Sequence, residues 1–306
     1  MGKNQSADGA AGARRAAAVL SIALCAETSN STMDEEGAKI DLKIGFRDPF
    51  APKSIMHVNC QVKHGDSYRA ENDSPEFLKI KIDKETTHSL RMATGPGLLI
   101  WIPPVPSPKL HWHIVDYRGV TGSPAKFLRW DIVSPSLRYK LSQDQCIKMR
   151  SSITKHDVAK LNINSVHAAA KSAYSNLKGT IRHPFLGSLC VTNYAWRHVT
   201  RRSKTEKNRI RQLRIVPYLK SYLSEAPTRF ERSKPEVSHS GKKTHEKCDI
   251  FLRYNAAFNI DGVSCTLFFR AREVVSYPTN WLNHPLSTKA ISQTVTLVSW
   301  WYKEEK

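Results

Sequence analysis

The feature that most constrains this chain is the alternation of apolar with polar or small residues in many short runs. Ile40, Leu42, Ile44 and Phe46 are each separated by one such residue. A period of two places successive side chains on opposite faces of a strand, with one face toward a core. The sequence therefore predicts a mainly β protein, an antiparallel, jelly-roll-like sandwich with a few short helices. The other predicted strands cover residues 56–62, 78–82, 98–102, 110–114, 128–132, 189–194, 249–258 and 263–270 and the final TVTLVSWWY.

Two segments depart from this period and favour helices. Residues 166–177 are rich in alanine, and Gly179 follows them, as glycine often does just beyond a helix end. Ser203 and Glu206 have the spacing of a capping box, in which each side chain bonds a backbone N–H near the other. The sequence thus predicts a second helix over residues 203–215, ended by Pro217.

Composition divides the chain into four predicted segments. The first is rich in small residues, and the linker at 225–247 is polar and contains Pro227 and Pro235, which is typical of mobile chain. The predicted segments are a flexible N-terminal arm (1–36), a β-sandwich core (37–200), the basic helix with its linker (201–247), and a C-terminal β segment packing on the core (248–306).

The positive charge is concentrated in the middle of the chain. The formal net charge is +20, and residues 126–247 alone contain 26 Lys and Arg against 8 Asp and Glu. A localised field of this sign favours a polyanionic partner, either nucleic acid or an anionic membrane surface. The sequence offers no phosphate-cradling glycine loop, nucleophile elbow or paired acids, so we do not expect an enzyme, a cofactor or a metal.

The predicted helix 203–215 is the main candidate for contact with nucleic acid. Helical spacing brings four cations onto one stripe, and three arginines lie beside it. The alternatives are a solvated helix face or a nuclear-localisation signal. We expect Tyr139, Tyr218 and Tyr222 to be exposed among the basic residues and to stack on unpaired bases. The stripe consists of Lys204, Lys207, Arg211 and Arg214, and its flanking arginines are Arg201, Arg202 and Arg209.

The N-terminus allows three interpretations. MGKNQS fits the pattern for N-myristoylation, which makes Gly2 a candidate lipidation site. Arg14 and Arg15 followed by AAAVLSIALCA resemble a signal peptide with cleavage after Ala26. The third interpretation is a flexible arm without either signal. The six cysteines have no close spacing, which favours free thiols in a reducing compartment.

The strand that ends in Asp116 raises a structural question. Leu110, Trp112 and Ile114 share one strand face, and Asp116 continues that row. A carboxylate at the inner edge of a sheet is costly unless its oxygens accept hydrogen bonds. We therefore expect Asp116 to accept backbone N–H bonds from residues 118–120, with Arg118 as an ion-pair partner.

The order of these features resembles the thirty-kilodalton superfamily of plant-virus cell-to-cell movement proteins. The resemblance begins with an apolar strand, a loop and a strand ending in Val115, Asp116 and Arg118. PAKFLRWDIVSPSLRYKLSQDQ (124–145) is similar to the second core strand and the turn behind it. LNINSVHAAAKSAYSNLKG (161–179) is similar to the segment that leads to the last core strand, and FLGSLCVTNYAW (185–196) is similar to that strand.

This resemblance implies a function in transport. Members of the superfamily bind single-stranded nucleic acid without sequence preference, associate with membranes and act at plasmodesmata. It implies as partners single-stranded nucleic acid or a viral nucleocapsid, host membrane or plasmodesmal proteins, and further copies of the chain. The expected locations are plasmodesmata, membranes of the cell periphery and also the nucleus. The alternatives are a viral matrix protein linking nucleocapsid to membrane, a jelly-roll capsid protein and a cellular RNA-binding protein.

Overall fold

A computed structural model describes residues 2–30, 39–70, 74–104, 109–115, 125–149, 155–158, 163–201, 205–260 and 262–305. The protein is mainly β, with 43% strand and 32% helix. The chain forms two compact units, which are unit 1 (Met1–Lys148 with Tyr277–Ile291) and unit 2 (Met149–Ser276 with Ser292–Lys306). The chain passes from unit 1 to unit 2 between Lys148 and Met149, which is inside the segment 37–200 that the sequence predicts as one core.

Unit 1 is built on a five-stranded sheet in the order β1-β2-β3-β5-β6. The pair β3–β5 is parallel and the other pairs are antiparallel. A separate antiparallel pair, β4–β7, lies beside it. The strands are β1 (Glu27–Asn30), β2 (Leu42–Arg47), β3 (Ile55–His64), β4 (Phe77–Ile80), β5 (Gly97–Ile102), β6 (His111–Val115) and β7 (Ala125–Leu128), and the helices are α1 (Gly2–Leu24), α2 (Lys84–Met92) and α3 (Leu137–Lys148).

Both faces of this sheet are covered by apolar side chains. Leu42, Ile44 and Phe46 point to one face and pack in a cluster with α1 and α3. Leu99 and Trp101 point to the other face and pack with residues of β4, β7 and α2. Alternation along each strand therefore places a core on either side of the sheet, as the period of two predicts.

The first helix corrects the expectation of a flexible arm. Residues 2–24 form α1, whose alanine content favours helix formation. Ala16, Leu20, Ala23 and Leu24 are fully buried against the five-stranded sheet. Their spacing of i, i+4, i+7 and i+8 is that of one apolar helix face. The residues that resemble the apolar part of a signal peptide are thus part of the core of unit 1.

Unit 2 is built on an eight-stranded sheet. Its strands follow the order β11-β13-β14-β15-β10-β9, and β12 and β8 also pair with β13. The pairs β10–β15 and β8–β13 are parallel, so both large sheets of the protein are mixed. The strands are β8 (His156–Val158), β9 (Gly179–His183), β10 (Gly187–Val191), β11 (Arg229–Arg232), β12 (Glu236–Ser240), β13 (Lys243–Ile260), β14 (Val263–Pro278) and β15 (Ser292–Glu304), and the helices are α4 (Ile163–Leu177), α5 (Asn193–Thr200), α6 (Glu206–Arg214) and α7 (Leu219–Tyr222).

The prediction of a mobile linker at 225–247 is wrong. Most of this segment forms β11, β12 and the start of β13, and β12 pairs with β13 as an antiparallel hairpin. Gly241 lies in its turn at φ +57°, a conformation in which a side chain would be strained. All five residues of β12 are exposed, so this strand lacks the alternating apolar residues by which the other strands are recognised.

Candidate nucleic-acid interface

The helices α4, α5 and α6 cover one face of the sheet in unit 2, and we call them the helical layer. The Trp196 ring of α5 lies 5.0 Å from the Tyr174 ring of α4. Tyr174 in turn stacks on Trp300 of β15 at 5.7 Å, and the Trp300 indole N–H donates to the Gln212 carbonyl of α6 at 3.1 Å. Buried aromatic residues therefore hold all three helices against the sheet.

The helical layer lies in the most basic part of the chain. Residues 158–224 contain thirteen Lys and Arg and a single acidic residue, Glu206. Lys171 and Lys178 are exposed, at the surface of α4 and directly after it. Arg197 and Arg201 are exposed at the C-terminal end of α5. Because four cations lie at this surface with so little opposing charge, the helical layer attracts polyanions.

The helical layer also exposes an aromatic ring. Tyr194 is 54% exposed in the first turn of α5. Thr192 caps this helix by accepting the backbone N–H of Tyr194 at 3.2 Å. Arg197 and Arg201 follow Tyr194 at i+3 and i+7, so the three side chains share one helix face. A ring next to two guanidinium groups is suited to stack on a base and to bind the adjoining phosphates.

Tyr194 was not among the residues that we predicted from the sequence. The run 189–194 predicts a strand that would include it, but β10 ends at Val191 and the helix begins after Thr192. The available signal was the threonine itself, which is a frequent N-cap residue.

Three residues of the predicted basic stripe, Lys207, Arg211 and Arg214, lie on the helix α6. The helix α6 begins at Glu206, and its cap is Thr205, whose hydroxyl accepts the backbone N–H of Asn208 at 3.4 Å. The prediction of a capping box at Ser203 is therefore wrong. Arg211 donates to Glu304 at 3.0 Å, and both partners are about half exposed. Such an exposed ion pair adds little stability, but the Glu304 carboxylate opposes the positive charge that Arg211 offers to a ligand.

The other predicted contacts have different environments. Arg209 and Arg214 are half-buried. Arg201 is exposed at the end of α5, and Lys207 lies on α6. Arg202 and Lys204 lie outside the described residues. The described part of the basic surface is thus centred on α4 and α5 rather than on α6 alone.

Two of the three tyrosines expected to stack on bases are buried, so that prediction is wrong for them. Tyr139 is 7% exposed and Tyr222 is fully buried, with its hydroxyl donating to the Ala257 carbonyl. Tyr218 is half-buried, and its hydroxyl donates to the Asp157 carbonyl at 3.3 Å. These rings support the fold of each unit instead of forming an exposed surface.

The other positions singled out in the sequence are Asp116, Arg118, Gly2 and the cysteines. Asp116 and Arg118 lie outside the described residues, so the hydrogen bonding expected for Asp116 stays a prediction. Gly2 is the first residue of α1. Within the described ranges, no helix combines the length and apolarity that crossing a bilayer requires. All six cysteines are free thiols.

Comparison with family models, with curated protein sequences and with solved structures found no match to this chain.

Proposed function

We propose that this chain is a non-enzymatic viral movement protein that binds single-stranded nucleic acid and carries it through plasmodesmata of plant cells. The observation that carries the proposal is the helical layer, in which the cations Lys171, Lys178, Arg197 and Arg201 and the ring of Tyr194 are all exposed. The ordered resemblance to the thirty-kilodalton superfamily supports the same conclusion. The jelly-roll arrangement, the plasmodesmal and membrane location, and self-association belong to this proposal as well.

The binding mode follows from the chemistry of the surface. Lysine and arginine side chains neutralise phosphates and release condensed counterions, which drives binding to any sequence. A tyrosine ring stacks on any base, because every base has a π face. Neither contact reads a base edge, so the surface selects unpaired strands without selecting their sequence.

A viral matrix protein is the second candidate. Gly2, in the myristoylation pattern MGKNQS, is the first residue of α1, and a lipid-anchored matrix protein would present such an N-terminus with a basic surface. One acyl chain gives only marginal membrane binding, so the basic surface would have to supply the second signal. This candidate predicts binding to anionic vesicles and nucleocapsid rather than to naked single strands.

We expect replacement of Lys171, Lys178, Arg197 and Arg201 by glutamine to weaken the salt dependence of RNA binding. Each phosphate contact with a single strand contributes a slope of roughly −0.7 in log K against log salt, so losing four contacts should flatten the slope by about 3. Fluorescence anisotropy with poly-U and with a mixed-sequence RNA over a salt series measures this. Both RNAs should lose affinity by the same factor, because the lost contacts are to the backbone.

A control variant shows whether the change in salt dependence comes from the position of the lost cations or only from the lower total charge. Arg14, Lys53, Lys84 and Lys289 are exposed in unit 1, and replacing them by glutamine removes the same charge. This control should retain the wild-type slope to within about one contact. Equal slopes in the two variants would place the nucleic-acid contacts elsewhere and reject the helical layer as the interface.

A further inference from the structure

The opposite face of the sheet in unit 2 carries a pair of stacked aromatic rings. Phe268 of β14 and Trp301 of β15 are cross-strand partners, with ring centroids 5.4 Å apart and planes only 3° from parallel. Their chain neighbours Phe269 and Trp300 form the adjacent pair and are fully buried, and Trp300 contacts the helical layer. Since successive side chains alternate between faces, Phe268 and Trp301 lie on the face away from the helices, which we call the open face.

Two cations lie near the Phe268 ring of this aromatic pair. The Arg253 guanidinium lies 5.8 Å from the Phe268 ring centroid, and the Lys303 ammonium lies 5.6 Å from it. Arg253 and Lys303 are both exposed, while Phe268 and Trp301 are half-buried. Aromatic rings flanked by Arg and Lys on a sheet face are the two elements that single-stranded nucleic acid requires, a stacking surface and phosphate partners.

A second group of arginines extends the positive charge along the open face. Arg270 and Arg272 both donate to the carboxylate of Asp249, each through Nε at 3.1 Å. Although burial alone would raise it, hydrogen bonds from both guanidinium groups hold the pKa of Asp249 below its usual value. The carboxylate thus stays ionised and compensates one of the two arginines. Arg270 also lies 5.8 Å from the ring of Phe251 on β13.

The aromatic stack is open at Trp301. Among the described residues, Phe268 is the one ring that contacts Trp301. On the side away from β14, β10 pairs with β15 only at Val295 and Thr296. Here a further planar group can be added beside the indole.

We propose that the open face is a second nucleic-acid site, at which an unpaired base extends the Phe268–Trp301 stack while Arg253 and Lys303 bind the neighbouring phosphates. This inference rests on the proposed function, but it assigns a different surface and a different interaction from those of the helical layer. The flanking cations favour a nucleotide over an apolar peptide, because the phosphates bring negative charge to Arg253 and Lys303 and an apolar side chain brings none. Bases inside a duplex are already stacked, so the ligand is a single strand.

The test compares oligothymidylate with an abasic sugar-phosphate oligomer of the same length, using the full chain. Trp301→Leu should weaken oligothymidylate binding about tenfold, the lower range for one stacked base, and leave binding of the abasic oligomer unchanged. Trp301→Phe keeps a ring at this position and should retain most of the preference for bases. Far-UV circular dichroism checks that both variants fold.

Controls on the helical layer separate the two sites. The glutamine variant of Lys171, Lys178, Arg197 and Arg201 should weaken binding of both oligomers by the same factor. The ratio of the affinity for oligothymidylate to the affinity for the abasic oligomer should then stay constant, whereas Trp301→Leu should lower this ratio. If Trp301→Leu binds both oligomers as the wild type does, while the four-site variant fails to bind, the open face is not a stacking site and the proposed function stands. If the wild-type chain binds neither oligomer, both proposals are overturned.

One further outcome would reject the inference in favour of a protein partner. If Trp301→Leu leaves this affinity ratio unchanged but lowers the apparent molecular mass in sedimentation equilibrium from that of a dimer to that of a monomer, the open face binds a second copy of this chain. A retained mass together with a changed ratio supports the base-stacking site.

Discussion

Replacing Leu20 by alanine is expected to lower the free energy of unfolding of unit 1 by about 2–5 kcal/mol. Leu20 is fully buried, in the same cluster as Leu42 and Ile44 of the five-stranded sheet. Truncation removes three carbon atoms from a packed interior and leaves a cavity that the surrounding strands fill only in part. Urea unfolding followed by far-UV circular dichroism measures the change.

Arg14 offers a control on the same helix. It is exposed, so Arg14→Ala removes a side chain without opening a cavity, and the free energy of unfolding should change by less than about 0.5 kcal/mol. Equal unfolding midpoints for Leu20→Ala and Arg14→Ala would mean that α1 does not pack on the sheet. The sequence-based prediction of a flexible arm would then be correct.

Acidification is expected to destabilise unit 2 through His183. Its Nδ1 accepts the backbone N–H groups of Phe185 at 3.0 Å and Leu186 at 3.3 Å. The ring proton is therefore on Nε2, which donates to the Tyr254 hydroxyl at 3.1 Å, and that hydroxyl donates to the Glu225 carbonyl at 3.1 Å. Complete burial lowers the pKa of His183 from 6.5 to about 3. A neutral imidazole satisfies all its neighbours, and protonation would disrupt the two bonds at Nδ1.

The direction of the pH dependence follows from this lowered pKa. Between about pH 6.5 and 3 the unfolded chain binds a proton at His183 that the folded chain does not bind. The contribution of the neutral His183 to the free energy of unfolding is therefore fully present above pH 6.5. It decreases as the pH falls, by up to about 1.4 kcal/mol per pH unit. At pH 4.5 the loss should be roughly 2–3 kcal/mol.

Two variants isolate the contribution of this histidine. His183→Gln cannot titrate in this range, so its urea midpoint should depend less steeply on pH between 7 and 4.5. Tyr254→Phe removes the hydroxyl but keeps the buried imidazole, so it should retain the wild-type slope. Burial, with the charges of Lys109 and Arg129, also lowers the pKa of His111 in unit 1, to about 4, and this contribution persists in both variants. Parallel pH profiles for the wild type and His183→Gln would contradict the assignment.

The strands could be predicted where one short run decides the structure. Leu42, Ile44 and Phe46 are buried on one face of β2 as their alternation predicts. The runs 249–258 and 263–270 lie within β13 and β14, which are neighbours in the sheet of unit 2. In each case the pattern lies within a few consecutive residues, so local sequence suffices.

The elements that could not be predicted depend on distant partners. Alanine-rich α1 has the same composition whether it is a flexible arm, a leader or a core helix, and only its packing on the sheet of unit 1 distinguishes them. β12 has no apolar alternation, because all of its side chains are exposed and it is held by backbone pairing with β13. Only its turn glycine, Gly241, signalled a hairpin.

The candidate site could be predicted in part for the same reason. Local charge is a property of the sequence, so the concentration of Lys and Arg in the middle of the chain can be counted directly, whereas their exposure depends on the fold. The pairing of Phe268 with Trp301 depends on the register of β14 and β15, which short-range patterns do not encode. Tyr194 required the position of the helix start at Thr192.

The most direct test of transport is a fluorescent fusion in single cells of leaf epidermis. The tag is placed at the C-terminus, so that Gly2 stays available for acylation. The wild-type chain should form paired puncta across shared cell walls and enter neighbouring cells, and the glutamine variant of Lys171, Lys178, Arg197 and Arg201 should deliver less co-expressed RNA to those neighbours. Uniform membrane fluorescence without spread, or fluorescence confined to the nucleus, would contradict the assignment as a movement protein.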